Sequence, residues 1–442
     1  MVTDTPYSKF LNRVRRPMRV LFFGVAGVKK YEFVNAVRTL ACAENVKPGG
    51  SSDTKRSAKF LQLYDVDKEI EKKKGGYPYY GQYLDDPDPE DQQALWNETV
   101  SEIIGNIEEE SPTNVFVLMH GVYLRSMGYF SRLNFELLRK LRPTAVVTLI
   151  DDAYDVATRI LKRETDMPMG SRCSISQAIQ WRTVETMMAD IVWYNVYSPH
   201  PQADSLAEKI FPKAFPHFVV SAKHPSVMLY RLLFERRRLV LYASYPITYT
   251  RANDSFIAEI NEHRRNLHKD YTVFDPVTID EYPVVTAGDG KQFIKRWPYS
   301  VEESQKDYMD GVSKLTIDGI LKDEDEILAN IEGRDFRLVN QAQGIVAYRP
   351  YWGSRESPST GVDREMLQAY TRNRPIYVVH DESKDGPLPA RKKTFEPISK
   401  AMAFGKSSTD ILSSLAKWQK ENEKRFQEQS MLPTWELPES KV

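Results

Sequence analysis

A loop of glycine and lysine near the start of the chain could bind phosphate. Residues 18–23 (MRVLFF) predict a buried strand, residues 24–31 read GVAGVKKY, and residues 32–42 predict a helix. Such a loop directs backbone N–H groups and a helix N-terminus at a phosphate group. We therefore expect anion binding at residues 24–31, and a glycine-rich turn without a ligand is the alternative.

The loop departs from the phosphate-binding pattern G-x-x-x-x-G-K-[ST] at two positions. Gly24, the inner glycine Gly27 and Lys30 fit the pattern. Lys29 replaces the second glycine, and Tyr31 replaces the hydroxyl that holds Mg²⁺. A phenol cannot take the place of that hydroxyl, so the sequence disfavours efficient phosphoryl transfer. It predicts ATP or another nucleotide, with or without Mg²⁺, as the ligand of this loop.

A second candidate site lies between residues 334 and 379. Apolar runs at 344–348 (GIVAY) and 376–379 (IYVV) predict buried parallel strands. A loop of Gly, Ser, Pro and Thr leads from the first run into a helix predicted at 363–370, with Glu365 in its first turn. This arrangement predicts a substrate-facing corner at the carboxyl end of a parallel sheet. The helix dipole alone also favours a glutamate in a first turn, so both interpretations remain open.

Several motifs in this half of the chain resemble those of the nucleoside 2-deoxyribosyltransferase and nucleotide N-glycosidase superfamily. In chain order they are LVLYASYPI at 239–247, RD at 334–335, GIVAY at 344–348, STGVDRE at 359–365 and RPIYVV at 374–379. The resemblance covers roughly residues 238–388. It implies a doubly wound domain that hydrolyses or exchanges an N-glycosidic bond without a cofactor or a metal.

The resemblance implies that Glu365 is the catalytic glutamate and that Asp335 is a second acidic residue that contacts the base or sugar. Cleaving a ribosyl C–N bond needs a carboxylate at the anomeric carbon and an acid for the departing base. The substrate-binding positions that it implies are Tyr242, Tyr348 and Trp352 for stacking the base, Ser244 and Pro246 after the first strand, and Ser359, Gly361 and Arg349 for a 5′-phosphate. A turn position for Asp335 and a core position for the aromatic residues are the alternatives.

Residues 17–225 resemble an archaeal-type adenylate kinase. The resemblance depends on the loop at 24–31 and on the run HGVYLRSMGYFSRLNFELLRKLRPTAVVTLIDDAYDVATRILKR at 120–163. Residues 165–176, at the place of the family's lid, lack its dense arginine set. Within the long run, Asp151 and Asp152 either orient magnesium or cap the next helix. Arg159 and Arg163 either grip a phosphate or lie on a solvated helix face.

Composition excludes several classes of function. The 442 residues include 61 Lys+Arg and 61 Asp+Glu, so the net charge is zero and there is no electrostatic footprint for nucleic acid or an anionic membrane. The two cysteines, Cys42 and Cys173, suggest a reducing compartment and exclude an all-thiolate zinc site. The N-terminus is polar and no apolar stretch approaches membrane-spanning length, so we expect a cytoplasmic protein.

Alternating strand and helix patterns predict an α/β chain of two doubly wound parallel-sheet domains, at 1–236 and 237–388, and a C-terminal helical tail at 389–442. The favoured function is an N-glycosidase or deoxyribosyltransferase with a small-molecule nucleotide or nucleoside substrate. Homo-oligomer formation is implied by resemblance. The alternatives are an active nucleoside monophosphate kinase and a non-catalytic nucleotide-sensing or scaffold protein.

Overall fold

The chain forms two compact units. The computed structural model describes residues 18–44, 60–73, 89–125, 128–165, 173–197, 217–235, 238–247, 254–281, 324–351, 359–385 and 403–430. The first unit contains the described residues up to Ser226, and the second contains nearly all of those from Val227 onward. The division falls within the helix Ser226–Phe234, ahead of the predicted boundary after residue 236.

The first unit is built on a five-stranded parallel sheet. Its strands are β1 (Met18–Phe23), β2 (Leu61–Asp65), β3 (Asn114–Leu118), β6 (Ala145–Ile150) and β7 (His217–Ser221), in the order β2-β3-β1-β6-β7. A two-stranded antiparallel ribbon, β4 (Tyr123–Arg125) and β5 (Gly128–Phe130), follows β3. The central strands are continuous runs of buried apolar residues, because helices cover both faces of such a sheet.

The helices of the first unit are α1 (Lys30–Glu44), α2 (Val66–Lys73), α3 (Pro89–Glu110), α4 (Phe135–Leu141), α5 (Ala153–Thr165) and α6 (Ile175–Tyr197). Helix α3 buries Trp96, Val100 and Ile103 against one face of the sheet, as its apolar stripe predicts. Helix α6 is the longest helix of this unit among the described residues and packs on α4, α5 and β6.

The second unit contains another five-stranded parallel sheet. Its strands are β8 (Val240–Ser244), β9 (Thr272–Phe274), β10 (Gly344–Tyr348), β11 (Ile376–Val379) and β12 (Ala403–Gly405), in the order β12-β11-β10-β8-β9. Numbered within this sheet alone, the order is 2-1-3-4-5 read from the β9 edge. That order places a topological switch point between β8 and β10, where doubly wound proteins bind their ligands. The predicted fold class, with two doubly wound parallel-sheet domains, is therefore confirmed.

The helices of the second unit include members on both faces of its sheet. In chain order the helices are α7 (Ser226–Phe234), α8 (Asp254–Asp270), α9 (Glu324–Gln341), α10 (Thr360–Thr371), α11 (Glu382–Asp385) and α12 (Ser408–Ser430), with a 3₁₀ turn at Pro276–Thr278. One face, which carries Ala243, Val346 and Tyr348, packs with α8 and α12 in one apolar core. The side chains between these point to the other face, towards α10, because successive residues of a strand alternate.

Two elements of the second unit differ from the predictions. Arg334 and Asp335, predicted in a turn, lie within α9, since the helix continues to Gln341. The predicted boundary at 388 divides the second sheet, because β12 pairs with β11 and its neighbour α12 contributes Ile411 and Leu415 to the core. A three-residue strand, Ala-Phe-Gly, is too short to give a periodic signal.

Within the part of the chain that the structure describes, no helix is both long enough and apolar enough to cross a membrane.

Candidate active site

The carboxyl end of β8 and the helix α10 bring three polar side chains together beside the switch point. The register of β8 with β10 pairs Tyr242 with Ile345 and Ser244 with Ala347, so these four side chains share one face. Glu365 projects from α10 on the same face. The Tyr242 hydroxyl donates a hydrogen bond of 2.6 Å to Glu365 Oε1, and the Ser244 hydroxyl donates to Glu365 Oε2.

Burial makes this carboxyl group unusual. Glu365 is 7 % exposed, and both Tyr242 and Ser244 are fully buried. A carboxylate in such a place loses its hydration and depends on hydrogen bonds from the protein. Helix α10 begins at Thr360, so Glu365 lies in the second turn rather than the predicted first turn. Its position is therefore explained by the two hydroxyls and not by the helix dipole.

A second carboxyl group and a guanidinium lie near Glu365, on α9. Arg334 Nε and Nη2 donate to Asp335 Oδ1 at 3.0 and 2.9 Å, and Arg334 Nη1 donates to Glu281 Oε2 at 3.1 Å. The structure thus brings the predicted pair Glu365 and Asp335 into one cluster. Among the described residues, three carboxyl groups (Glu281, Asp335 and Glu365) surround the Arg334 guanidinium there.

This environment shifts two pKa values upward. Burial, followed by the charge of Asp335, raises the pKa of Glu365 to about 8, and these effects outweigh the hydrogen bonds from Ser244 and Tyr242. Burial, followed by the charge of Glu365, raises the pKa of the Tyr242 phenol well above its usual value. At neutral pH Glu365 is therefore mainly protonated, and the Tyr242 hydroxyl keeps its proton as a donor.

Three of the predicted substrate positions are placed as follows. Tyr242 presents its hydroxyl to Glu365 and is fully buried, so it has no exposed ring face on which to stack a base, contrary to the prediction. Pro246 is buried just after β8. Trp352 lies outside the described residues.

Two predicted phosphate contacts lie at the start of α10. Ser359 occupies the N-cap position, but its side chain makes no capping hydrogen bond. Gly361 is exposed, and a Cβ added there would meet no atom within 4 Å. These two residues thus lie at the helix N-terminus, about one turn before Glu365, where backbone N–H groups of a helix lack partners within the helix.

Tyr348 and Arg349 do not join Glu365. Tyr348 lies on the opposite face of the sheet, where its ring stacks on His263 and its hydroxyl donates to Glu259 at 2.6 Å. Arg349 pairs with Asp385 at 2.6 Å and with Glu259 at 2.5 Å. The predicted roles in base stacking and phosphate binding are therefore wrong for this conformation, because alternation along β10 and local carboxylates determine where these side chains lie.

Sequence reasoning missed two members of the cluster. Arg334 entered the sequence analysis only as part of the RD motif at 334–335, and Glu281 was not among its candidates. Glu281 follows β9 and the 3₁₀ turn at Pro276–Thr278. Its place after the carboxyl end of a strand is a signal that could have identified it, because parallel strands deliver such residues to one edge.

The predicted phosphate loop of the first unit is formed, but its lysine is turned inward. A Cβ on Gly24 would lie 2.9 Å from the Leu149 carbonyl, so the close approach of β1 and β6 requires glycine there. Lys29 has a φ of +55°, the left-handed conformation that glycine adopts readily at this position of the pattern. Lys30 is buried and donates to the carbonyls of Gly24 at 3.1 Å and Met119 at 2.5 Å.

The other residues predicted for the loop region are placed as follows. Gly27 has a φ of +83°, and its carbonyl accepts from Arg159 Nη1 at 2.8 Å. Asp151 and Asp152 are buried among charged side chains, and the Arg163 side chain lies outside the described residues. Tyr31 is on the surface, with Lys68 Nζ 3.1 Å from its ring centroid.

No family model and no curated protein matches the chain. Among solved structures, it is similar to the crystal structure of a gluconokinase from Sinorhizobium meliloti 1021, at 15% identity over 50% of this chain and 94% of that chain. The TM-score of this match is 0.23, which is too low to support an argument about fold or function. The assignment to two doubly wound α/β units therefore depends on the strand order of the chain itself.

Proposed function

We propose that the second unit hydrolyses or exchanges the N-glycosidic bond of a nucleoside or nucleotide. The observation that carries the proposal is the Glu365 carboxyl group, buried beside the switch point of the sheet and held at both oxygens by the hydroxyls of Tyr242 and Ser244. Doubly wound sheets bind substrates at this place, and perturbed carboxyl groups cluster at functional sites.

Glu365, as a carboxylate, faces the anomeric carbon in this mechanism. As the C–N bond breaks, its electron pair leaves with the base and positive charge develops on the sugar. The burial that raises the pKa of Glu365 also leaves the Glu365 carboxylate poorly solvated. The carboxylate therefore interacts strongly with positive charge on the sugar, and this interaction is strongest in the transition state, where that charge develops. Glu365 either forms a covalent bond to the sugar or stabilises the cation until water or a second base attacks.

Asp335 is the second acting carboxyl group and contacts the base or the sugar. An ion pair with Arg334, whose side chain is only 8 % exposed, holds the Asp335 carboxyl group in position on α9. The negative charge of Asp335 near Glu365 also suits a transition state that carries positive charge. Ser359 and Gly361 remain the proposed contacts for a 5′-phosphate, and Arg349 is not among them because Asp385 and Glu259 bind it.

The pH dependence distinguishes the roles of Glu365. With a pKa of about 8, only about a tenth of Glu365 is ionised at pH 7. If the carboxylate acts, kcat/KM rises with pH and levels off above about pH 8. A kcat/KM that falls above pH 8 instead would assign Glu365 as the proton donor.

The first test is release of free base, followed by chromatography. The protein is incubated with nucleosides, deoxynucleosides, their 5′-nucleotides and NAD⁺, beside Glu365→Gln, Asp335→Asn and Tyr348→Phe variants. We expect release by the parent, a loss of about 10³-fold or more in Glu365→Gln, a clear loss in Asp335→Asn, and little change in Tyr348→Phe. Release that survives in Glu365→Gln would refute the assignment.

Two alternative functions have distinct outcomes in the same assay. Consumption of ATP and a nucleoside monophosphate without base release would favour a kinase, although Lys29, Tyr31 and the inward-turned Lys30 disfavour it. No turnover in either assay would favour a nucleotide-sensing or scaffold protein.

A further inference from the structure

A buried glutamate occupies the backbone N–H groups at the carboxyl edge of the first sheet. Glu185 of α6 accepts from Gly24 N at 2.9 Å and Gly121 N at 2.9 Å through Oε1, and from Val122 N at 2.8 Å through Oε2. Its exposed fraction is 0 %. Converging N–H groups next to a glycine loop are the donors that an anionic ligand uses, and here a carboxylate of the chain itself takes them.

A buried lysine occupies the carboxylates at the same edge. Lys223, just after β7, contacts Asp151 Oδ1 at 3.1 Å and Asp155 Oδ2 at 2.5 Å, and it also pairs with Asp152. Carboxylate oxygens of the three aspartates lie within 4.8 Å of one another, a spacing that would suit a divalent cation. Arg159 adds a second positive charge, 2.6 Å from Asp151. The positive charge that these carboxylates require is thus supplied by side chains.

The lysine of the loop lies in acidic surroundings. Burial lowers the pKa of Lys30, although the nearby carboxyl groups of Glu185, Asp67 and Asp65 oppose that shift. Burial raises the pKa of Asp65 to about 6, and Asp67 adds to this effect. A phosphate at Lys30 would therefore enter beside three acidic groups, which is electrostatically unfavourable.

We propose that the carboxyl edge of the first sheet is occupied from within, so that Glu185 holds the place of an anionic ligand and Lys223 holds the place of a divalent cation. The first unit in this conformation then binds neither an oligophosphate nor Mg²⁺. It is a folded, non-catalytic module in which the charged side chains of Glu185 and Lys223 replace a bound phosphate and a bound metal ion. The proposal is independent of the function proposed for the second unit.

Mn²⁺ and pyrophosphate, a metal and an anion without a base, are the probes. Calorimetry and thermal unfolding are measured for the full chain, for Lys223→Ala, and for a Lys223→Ala/Asp152→Asn control that lacks one carboxylate. We expect the first unit of the parent to bind neither probe at millimolar concentration, and any pyrophosphate that binds at Ser359 and Gly361 of the second unit is a background equal in every variant. Lys223→Ala should bind Mn²⁺ at least about 100-fold more tightly than the parent and regain thermal stability with it, because three buried carboxylates then lack their ammonium. The double variant should lose most of that gain.

Glu185→Gln provides an independent arm. It removes the internal negative charge at Gly24, Gly121 and Val122 and should increase pyrophosphate affinity at least about tenfold. Binding of Mn²⁺ or pyrophosphate by the parent that Asp152→Asn or Glu185→Gln weakens would overturn the proposal, as would a folded Lys223→Ala without a gain in Mn²⁺ affinity. If Lys223→Ala folds neither with nor without Mn²⁺, the parent and Glu185→Gln provide the test. The proposal is supported if the first unit of the parent binds no pyrophosphate and Glu185→Gln gains affinity for it. Any other result overturns the proposal.

Discussion

The Glu365 carboxyl group gains its properties from residues far away in the chain. Tyr242 and Ser244, on β8, lie 123 and 121 residues before it and donate to its two oxygens. These hydrogen bonds favour the carboxylate, whereas burial and Asp335 favour the protonated acid. The second effect is larger, so the group changes charge near pH 8 and its titration can be followed in solution.

Replacing Glu365 by glutamine should stabilise the fold at alkaline pH. The pKa of Glu365 is about 8 in the folded protein and near 4.5 in an unfolded chain, so folding keeps a proton that the unfolded chain releases. This contribution is complete below about pH 4.5 and is lost as pH rises towards 8. The neutral glutamine has no such loss, and its advantage should grow to an order of a few kcal/mol by pH 8.

Thermal unfolding of the parent and Glu365→Gln between pH 5 and 9 measures this difference. A difference in thermal stability between the two proteins that stays constant from pH 5 to 9 would contradict a raised pKa of Glu365.

Removing the Tyr242 hydroxyl should move the pH profile of the proposed reaction. Tyr242→Phe deletes a donor that stabilises the Glu365 carboxylate, so the pKa of Glu365 should rise further, by about half a unit to one unit. We expect the midpoint of kcat/KM against pH to shift upward by that amount. Tyr348→Phe is the matched control, since its hydroxyl donates to Glu259 on the opposite face and its profile should stay unchanged.

At the scale of elements, the ends of helices show where the chain accepts strain. Helix α4 is capped at its start by the Asn134 side chain, which accepts from the N–H groups of Glu136 and Leu137. It ends at Arg142, whose φ of +51° is left-handed and whose N–H donates to the Arg139 carbonyl. Glycine is the usual residue at such a position, because a Cβ there crowds the backbone.

Arg142→Gly should therefore stabilise the first unit. Relief of the left-handed conformation contributes about 1–2 kcal/mol, and the larger conformational entropy that glycine loses on folding offsets about 0.5–1 kcal/mol of it. Loss of the Arg142 charge also removes repulsion of Arg19. The midpoint of denaturant unfolding measures the effect. Arg142→Ala keeps the crowded Cβ and should gain less; an equal gain in both variants would assign the effect to charge alone.

At the scale of the whole molecule, the C-terminal segment completes the second unit. Strand β12 pairs with β11, and Trp418 of α12 stacks on Tyr377 with ring centroids 5.6 Å apart. A Cβ on Gly344 would lie 3.0 Å from the Trp418 ring, which shows how closely α12 approaches β10. The segment predicted as a tail is thus part of the core.

A chain that ends at residue 388 should lose the folded second unit. Without β12 and α12, the apolar face that packs on Ile411 and Leu415 would be exposed to water and one edge of β11 would lose its partner. We expect aggregation or loss of one unfolding transition, measured by calorimetry. A chain that ends at residue 430 keeps every described element and should unfold like the parent. Normal folding of the shorter chain would make the segment dispensable.

Self-association stays a prediction that sedimentation can test.

Local patterns along the chain were enough to predict several strands and the candidate residues for chemistry. Buried runs such as residues 18–23, 344–348 and 376–379 became strands with the predicted bounds, because apolar β-branched residues in short runs express a preference that needs few neighbours. The motif that contains Glu365 was likewise visible as residue types and spacing, and the structure brings Asp335 beside it.

Contacts between side chains that are far apart in the chain could not be predicted from local patterns. Glu185 lies 161 residues from Gly24, Lys223 lies 71 residues from Asp152, and neither pairing has a local pattern. Three further features have no local pattern either. Glu365 and Tyr348 lie on opposite faces of the second sheet, helix α9 continues through Asp335, and β12 is the fifth strand of that sheet. Burial and charge pairing across such separations depend on how strands are ordered in a sheet, which is a property of the folded chain and not of any one segment.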